Sequence, residues 1–245
     1  MQIYHLTLAN AWLAIANIDE MLIDEILANQ VAIDSDVCFA TTNFATTNFT
    51  KPKPKSKSSL ACRQLLSQLQ IAIHQIGELN ESEFPYCFIA NSQKWFVSFS
   101  HSQYQVAVLL ANVANIGVDI ENKPIKSGVV RRFFSQAENQ WLGQIDMEHA
   151  QLAKTLLWTL KESHIKATNN KATNNQQNNQ QTNQNSQQNL TLAKGLGVNV
   201  LQWARFNELG LLLQNNKPYN ELILANAVIG FLPNFQCGWW VGRSL

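Results

Sequence analysis

The sequence predicts an α+β fold, and three observations carry that expectation. Several stretches repeat apolar residues at helical spacing, shorter runs are rich in β-formers, and the two kinds are mixed without regular strand–helix–strand alternation. At 245 residues the chain can bury one large core or two small ones.

The opening segment, MQIYHLTLANAWLAIANIDEMLIDEI, reads as a short strand followed by an amphipathic helix. Asp19, Glu20, Asp24 and Glu25 break it before an apolar span reaches the roughly 20 residues of a membrane crossing, and no basic region precedes it. Neither export signal nor membrane anchor is expected. FATTNFATTNF, Phe39 to Phe49, duplicates itself, and the following KPKPKSK combines Pro and Lys, so a flexible linker is expected at about 39–57.

SSLACRQLLSQLQIAIHQI places Leu65, Leu69, Ala72 and Ile76 on one helical face behind a Ser58 or Ser59 cap, with Arg63 in the second turn. Strands are expected at Trp95 to Phe99, Gln105 to Leu110 and Ile116 to Glu121, the first two joined by a polar SHSQ turn. Helical spacing returns in VVRRFFSQAENQWLGQ and AQLAKTLLWTLKESHIKAT, and β-like runs return in ELILANAVIGF and QCGWWVG. Between them lies an Asn/Gln-rich tract, 168–192, whose duplicated KATNN is too short and polar for a solenoid repeat; it is expected to be a disordered insertion.

A formal net charge of +1 supplies no global field for nucleic acid or an acidic membrane, so neither partner is expected. Cys38, Cys62, Cys87 and Cys237 form no CxxC pair and have no His at metal-ligand spacing, which fits reduced thiols in a cytoplasmic protein.

Two places could carry chemistry. In IGVDIEN, Asp119 and Glu121 are two residues apart on a strand, so both carboxylates leave the same face while Val118 and Ile120 face the core. Like charges about 4 Å apart repel by some 4 kcal/mol at an effective dielectric near 20, so the pair favours a cation or open water. Mg²⁺ suits such hard oxygens and completes its shell with phosphate and water. On the helix ending LLWTLKESHIKAT, Trp158, Glu162 and Lys166 form an i, i+4, i+8 stripe with Lys161 and Ile165 beside it. Taken alone, that stripe reads as a core Trp next to a surface ion pair, and SHS as turn chemistry around His101.

Order and combination change this. SHS, then GVDIE, then Phe133, Phe134, Ser135 and Glu138, then WTLKESHIKA resembles the Sfp-type 4′-phosphopantetheinyl transferases, whose pattern runs SHS, GxDxE, FxxxE, WxxKExxxKxxGxG. The likeness spans Ser98 to Gly197, with the closing GxG displaced by the tract to Gly195, Leu196 and Gly197.

The resemblance implies a cytoplasmic monomeric enzyme, of holo-[acyl-carrier-protein] synthase type, that moves 4′-phosphopantetheine from coenzyme A to a serine of an acyl or peptidyl carrier protein, leaving adenosine 3′,5′-bisphosphate. It implies Mg²⁺ at Asp119, Glu121 and Glu162, with Glu162 also removing the serine proton, directly or through a metal-bound water. Lys166 and Lys161 match the basic positions of the KExxxK motif, with Lys166 facing a pyrophosphate oxygen. Ser100 and His101 match the pair beside the 3′-phosphate, which Arg63 and Lys57 would also hold. The implied architecture is a pseudo-dimer of two similar α+β lobes, 1–112 and 113–245, with the site in the cleft between them. It also implies an exposed apolar surface near FFSQAEN, Phe133 to Asn139, for docking the carrier.

Two positions depart from the family pattern. Glu83, Phe84 and Pro85 stand where many relatives carry GKP, so its lysine contact is either absent or replaced by Lys94, and Gln103 replaces the Gly after SHS. Two rivals compete with the transferase: a Mg²⁺-dependent phosphohydrolase using the same carboxylates, and a non-catalytic interaction protein assembling through the tract.

Overall fold

The computed structural model describes residues 1–21, 56–82, 84–176, 200, 204–214 and 217–243. Most of the expected linker, the tract beyond 176 and the displaced GxG lie outside the described residues. Two antiparallel sheets dominate. The first contains β1 (Gln2–Leu6), β2 (Ala11–Asn17), β3 (Cys87–Ala90), β4 (Gln93–His101) and β5 (Gln105–Ala111), in the order β1-β2-β5-β4-β3. The second contains β6 (Ile116–Ile120), β7 (Asn220–Ile223), β8 (Ala227–Leu232) and β9 (Cys237–Gly242), in the order β6-β9-β8-β7. The helices are α1 (Lys57–Ala72), α2 (Ser127–Phe133), α3 (Gln136–Leu142), α4 (Ala150–Gln176) and α5 (Phe206–Leu212). The expected α+β class is what the chain adopts.

Alternating side chains assign the layers. From α1, Cys62, Leu65 and Leu69 pack on Ala14, Val106, Val108 and Leu110, one face of the first sheet. The residues between them, Leu13, Ile15, Ala107 and Leu109, turn the other way and meet Ile116, Val118, Ile120, Trp239 and Val241 of the second sheet. On the far side of that sheet, Ile229, Phe231 and Trp240 pack on Leu156, Leu157 and Leu160 of α4. The order is therefore α1, sheet, sheet, α4.

Two segments differ from the sequence reading. Ala11–Asn17 is a strand rather than the start of a helix: AWLAIAN is apolar on both faces, as a strand covered on both sides must be, so it carries no period of two. Ser100 and His101 end β4 instead of forming a turn, and the reversal starts at Ser102, whose N–H donates to Gln105 O at 2.9 Å. Farther along, α4 runs past Thr168 to Gln176.

Two local devices bring the chemistry together. The α4 backbone lies directly on β6 and β9: a Cβ on Gly117 would sit 1.9 Å from Ser163 O, and one on Gly238 would sit 2.6 Å from Thr159 Oγ1. Glycine is the residue that permits so close an approach. Meanwhile β6 is an edge strand buried against β4, so its outward amides need acceptors. Ser98 Oγ accepts from Val118 N–H at 3.1 Å and Ser100 Oγ from Ile120 N–H at 3.3 Å. Hydroxyls two residues apart on one strand meet amides two residues apart on the other.

Candidate active site at the seam of the sheets

Because Val118 and Ile120 point between the sheets, Asp119 points toward α4. There Lys166 Nζ donates to Asp119 Oδ1 at 2.9 Å, to Val118 O at 2.8 Å and to Ser100 Oγ at 3.1 Å. Ser100 Oγ in turn donates to Asp119 Oδ1 at 2.8 Å. One ammonium thus ties α4, β6 and β4 together, using all three of its protons.

Glu162 sits one turn earlier on α4 and is only 8% exposed. Burial, the Asp119 carboxylate and more weakly Glu121 push its carboxyl up to about 7, against the opposing pull of Lys166. Glu121 follows β6 directly, and its carboxylate accepts from Lys123 N–H at 2.9 Å. The surface ion pair expected between Glu162 and Lys166 gives way to a reach across the seam to Asp119. Three carboxylates against one ammonium leave a formal charge of −2.

Among the described residues no group of three or more His, Cys, Asp and Glu side chains is gathered closely enough to hold a metal ion. The donor set still fits a hard divalent cation. Its oxygens are all carboxylate, and the Asp119 and Glu121 charges, which add to burial in raising Glu162, are what a cation offsets.

The remaining expected residues divide. Exposed His101 lines, with Lys57, Ser56, Ser58, Ser102 and Tyr104, an open groove of about 580 Å³ whose lining includes none of Ser100, Asp119, Glu162 and Lys166. Arg63 is held by protein acceptors: it pairs with Glu81 and donates to Ser59 O at 2.7 Å and Ser59 Oγ at 2.6 Å. Its neighbour Cys62 reaches Ser100 O at 3.7 Å, which seats α1 against the SHS strand, and burial pushes that thiol up to about 11. Lys94 is seven residues up β4 from His101, about 23 Å away along an extended strand, so it does not take the place of the missing lysine.

Lys161 points elsewhere. Its ammonium lies 2.9 Å from Glu138 Oε2, both side chains are wholly buried, and the Phe134 ring covers it with the centroid 5.6 Å away. Burial lowers the Lys161 pKa while Glu138 works against that. Glu138 also accepts from Ser135 N–H at 2.7 Å, completing the α3 capping box, and from Val200 N–H at 2.6 Å. The exposed apolar surface expected at FFSQAEN is not formed there. Phe134 is buried, Phe133 packs on Trp158 with ring centroids 6.0 Å apart, and α2 exposes Ser127, Gly128, Arg131 and Arg132.

Sequence reasoning passed over Ser98, the second hydroxyl that docks β6, and the hub role of Glu138. Signals existed for both: SFS sets two hydroxyls at strand alternation, and SQAE is a capping-box pattern. Nothing local marks Lys161 as the partner of Glu138.

A groove of about 560 Å³ between Leu8, Leu211 and Lys217 to Leu222 contains none of these residues. Residues 115–216 match the family model of the 4′-phosphopantetheinyl transferase superfamily. That stretch carries Asp119, Glu121, Glu138, Lys161, Glu162 and Lys166, and the match bears out the resemblance read from the motifs. No curated protein matches the chain.

Proposed function

We propose that the chain transfers the 4′-phosphopantetheine arm of coenzyme A to a serine hydroxyl of an apo acyl or peptidyl carrier protein. The observation that carries this reading is the meeting of Ser100, Asp119 and Lys166 in one hydrogen-bonded knot with Glu162 beside it, inside the stretch that matches the superfamily. Asp119, Glu121 and Glu162 would hold Mg²⁺, which when bound supplies charge neutralisation for the pyrophosphate.

The chain's own residues do the rest. The serine oxygen forms a bond to the phosphorus nearer the pantetheine, the pyrophosphate P–O bond breaks, and adenosine 3′,5′-bisphosphate leaves with the electron pair. Glu162 takes the serine proton. His101 and Lys57 orient the donor's 3′-phosphate from their groove, and Arg63 joins them only by exchanging Glu81 for it. The two-lobed pseudo-dimer, with lobes 1–112 and 113–245 and the donor in the cleft between them, belongs to the same proposal. It is supported by each sheet carrying a long helix on its outer face. So do a cytoplasmic location and a monomeric state; among the described residues no helix is long and apolar enough to cross a membrane.

The test is to incubate the purified chain with coenzyme A, Mg²⁺ and several apo carriers and weigh the carriers. A mass gain of one phosphopantetheine arm on the carrier serine, lost in Asp119→Asn, is expected. Donor binding without any transfer would refute the reading.

A further inference from the structure

Lys166 is the most heavily engaged cation of the site. Its ammonium has no proton left for a ligand, because Asp119 Oδ1, Val118 O and Ser100 Oγ accept all three. Its side chain is 28% exposed and that of Asp119 13%, so the pair is partly shielded yet open to solvent. The carboxylate it neutralises is also one of those suited to a divalent ion. An ammonium and a metal cannot share Asp119 Oδ1 at bonding distance without strong mutual repulsion.

We propose that Lys166 is a built-in place-holder: in the ligand-free protein its ammonium occupies the cation position at Asp119, and it competes with a divalent ion for that carboxylate until a phosphate ligand draws it away. The charge count fits this exchange. With all three carboxylates ionised they and Lys166 sum to −2, so the site attracts a divalent ion while Lys166 occupies Asp119 Oδ1. Once the ion is bound the sum is zero, and Lys166 is free to pair with an incoming anion instead. Its flexible four-carbon stem lets the ammonium swing without moving α4. The latch also has a positioning role: while closed, it holds β4, β6 and α4 in the geometry that the ion and donor later inherit.

This inference rests on reading Asp119, Glu121 and Glu162 as a divalent-ion site, so its test measures ion binding with no donor or carrier present. Mn²⁺ is titrated calorimetrically into the wild-type chain, Lys166→Met and Lys166→Gln; the glutamine variant keeps a hydrogen-bond donor near Val118 O and so guards against a fold lost with the latch. Both variants are expected to bind Mn²⁺ at least about tenfold more tightly than wild type, since removing one nearby positive charge favours the ion. Adding inorganic pyrophosphate should tighten Mn²⁺ binding more in wild type than in Lys166→Gln, because only wild type has a place-holder to draw off. Wild-type binding of Mn²⁺ with folded Lys166→Gln binding it no better would overturn the place-holder and leave the transferase reading standing. No Mn²⁺ binding by any form would overturn the ion site and the place-holder together.

Discussion

Ser163 Oγ donates to the carbonyl of Gly238 at 2.8 Å, pinning the middle of α4 to β9 within one turn of both Glu162 and Lys166. The same helix face rests on Gly117, where an added Cβ would lie 1.9 Å from Ser163 O. Gly117→Ala is therefore expected to destabilise the protein by about 3 kcal/mol, because backbone rather than a side-chain tip must yield. Urea unfolding measures the loss, and the folded fraction should show impaired transfer because Glu162 has shifted from Asp119. Wild-type stability with full activity would mean that α4 backs away freely.

The buried Lys161 and Glu138 pair makes a separate prediction. Glu138→Gln keeps an acceptor for only one of the Ser135 and Val200 amides, which use different oxygens, turns an NH2 to the other and strands the ammonium, and should cost about 3 kcal/mol. Adding Lys161→Met should recover, in urea unfolding, the part of that loss that comes from the stranded ammonium. Folded Lys161→Met should bind coenzyme A within about twofold of wild type, as a residue with no path to the donor would. A tenfold loss of donor affinity would return Lys161 to the binding site.

Glu162 and His164 impose opposite pH dependences on stability. The Glu162 carboxyl is raised from 4.5 to about 7, so its folded form holds a proton the unfolded chain has released, and the wild type loses stability as pH rises through that window. His164, stacked on Trp240 with ring centroids 4.5 Å apart, is lowered by burial from 6.5 to about 4. The unfolded chain takes that proton first, so stability falls as pH drops from about 6.5 toward 4. Thermal melts should show Glu162→Gln gaining on wild type between pH 5 and 8, roughly the span of the raised titration, while losing transfer. His164→Phe should flatten the acid limb of the curve. An unchanged difference between Glu162→Gln and wild type across that range would show that the carboxyl is not held high.

What the sequence made legible was local. The shared direction of Asp119 and Glu121, the inward turn of Val118 and Ile120 and the stripe of Glu162 and Lys166 follow from periods of 2 and 3.6, which need no knowledge of the rest of the chain. What it hid was set at a distance. Ala11–Asn17 looks helical because a strand covered on both faces loses its alternation. The target of Lys166 could not be read as Asp119, 47 residues back, when Glu162 stood four away at ordinary pairing distance. Lys161 and the FFSQAEN aromatics read as surface features because burial beneath α3 depends on how the helices pack.

The hydrogen bond from Val200 N–H to Glu138 has a consequence for heredity. Glu138 clasps Lys161 on one side of the Asn/Gln-rich tract and Val200 on the other, so the intervening chain is a pendant ring whose mouth is closed by one carboxylate. Closure entropy rises with the logarithm of ring size, and doubling the ring costs only about 0.6 kcal/mol, close to thermal energy. Added chain length between Gln176 and Val200 therefore costs the fold little closure entropy, and that stretch can lengthen between generations while the clasp stays fixed.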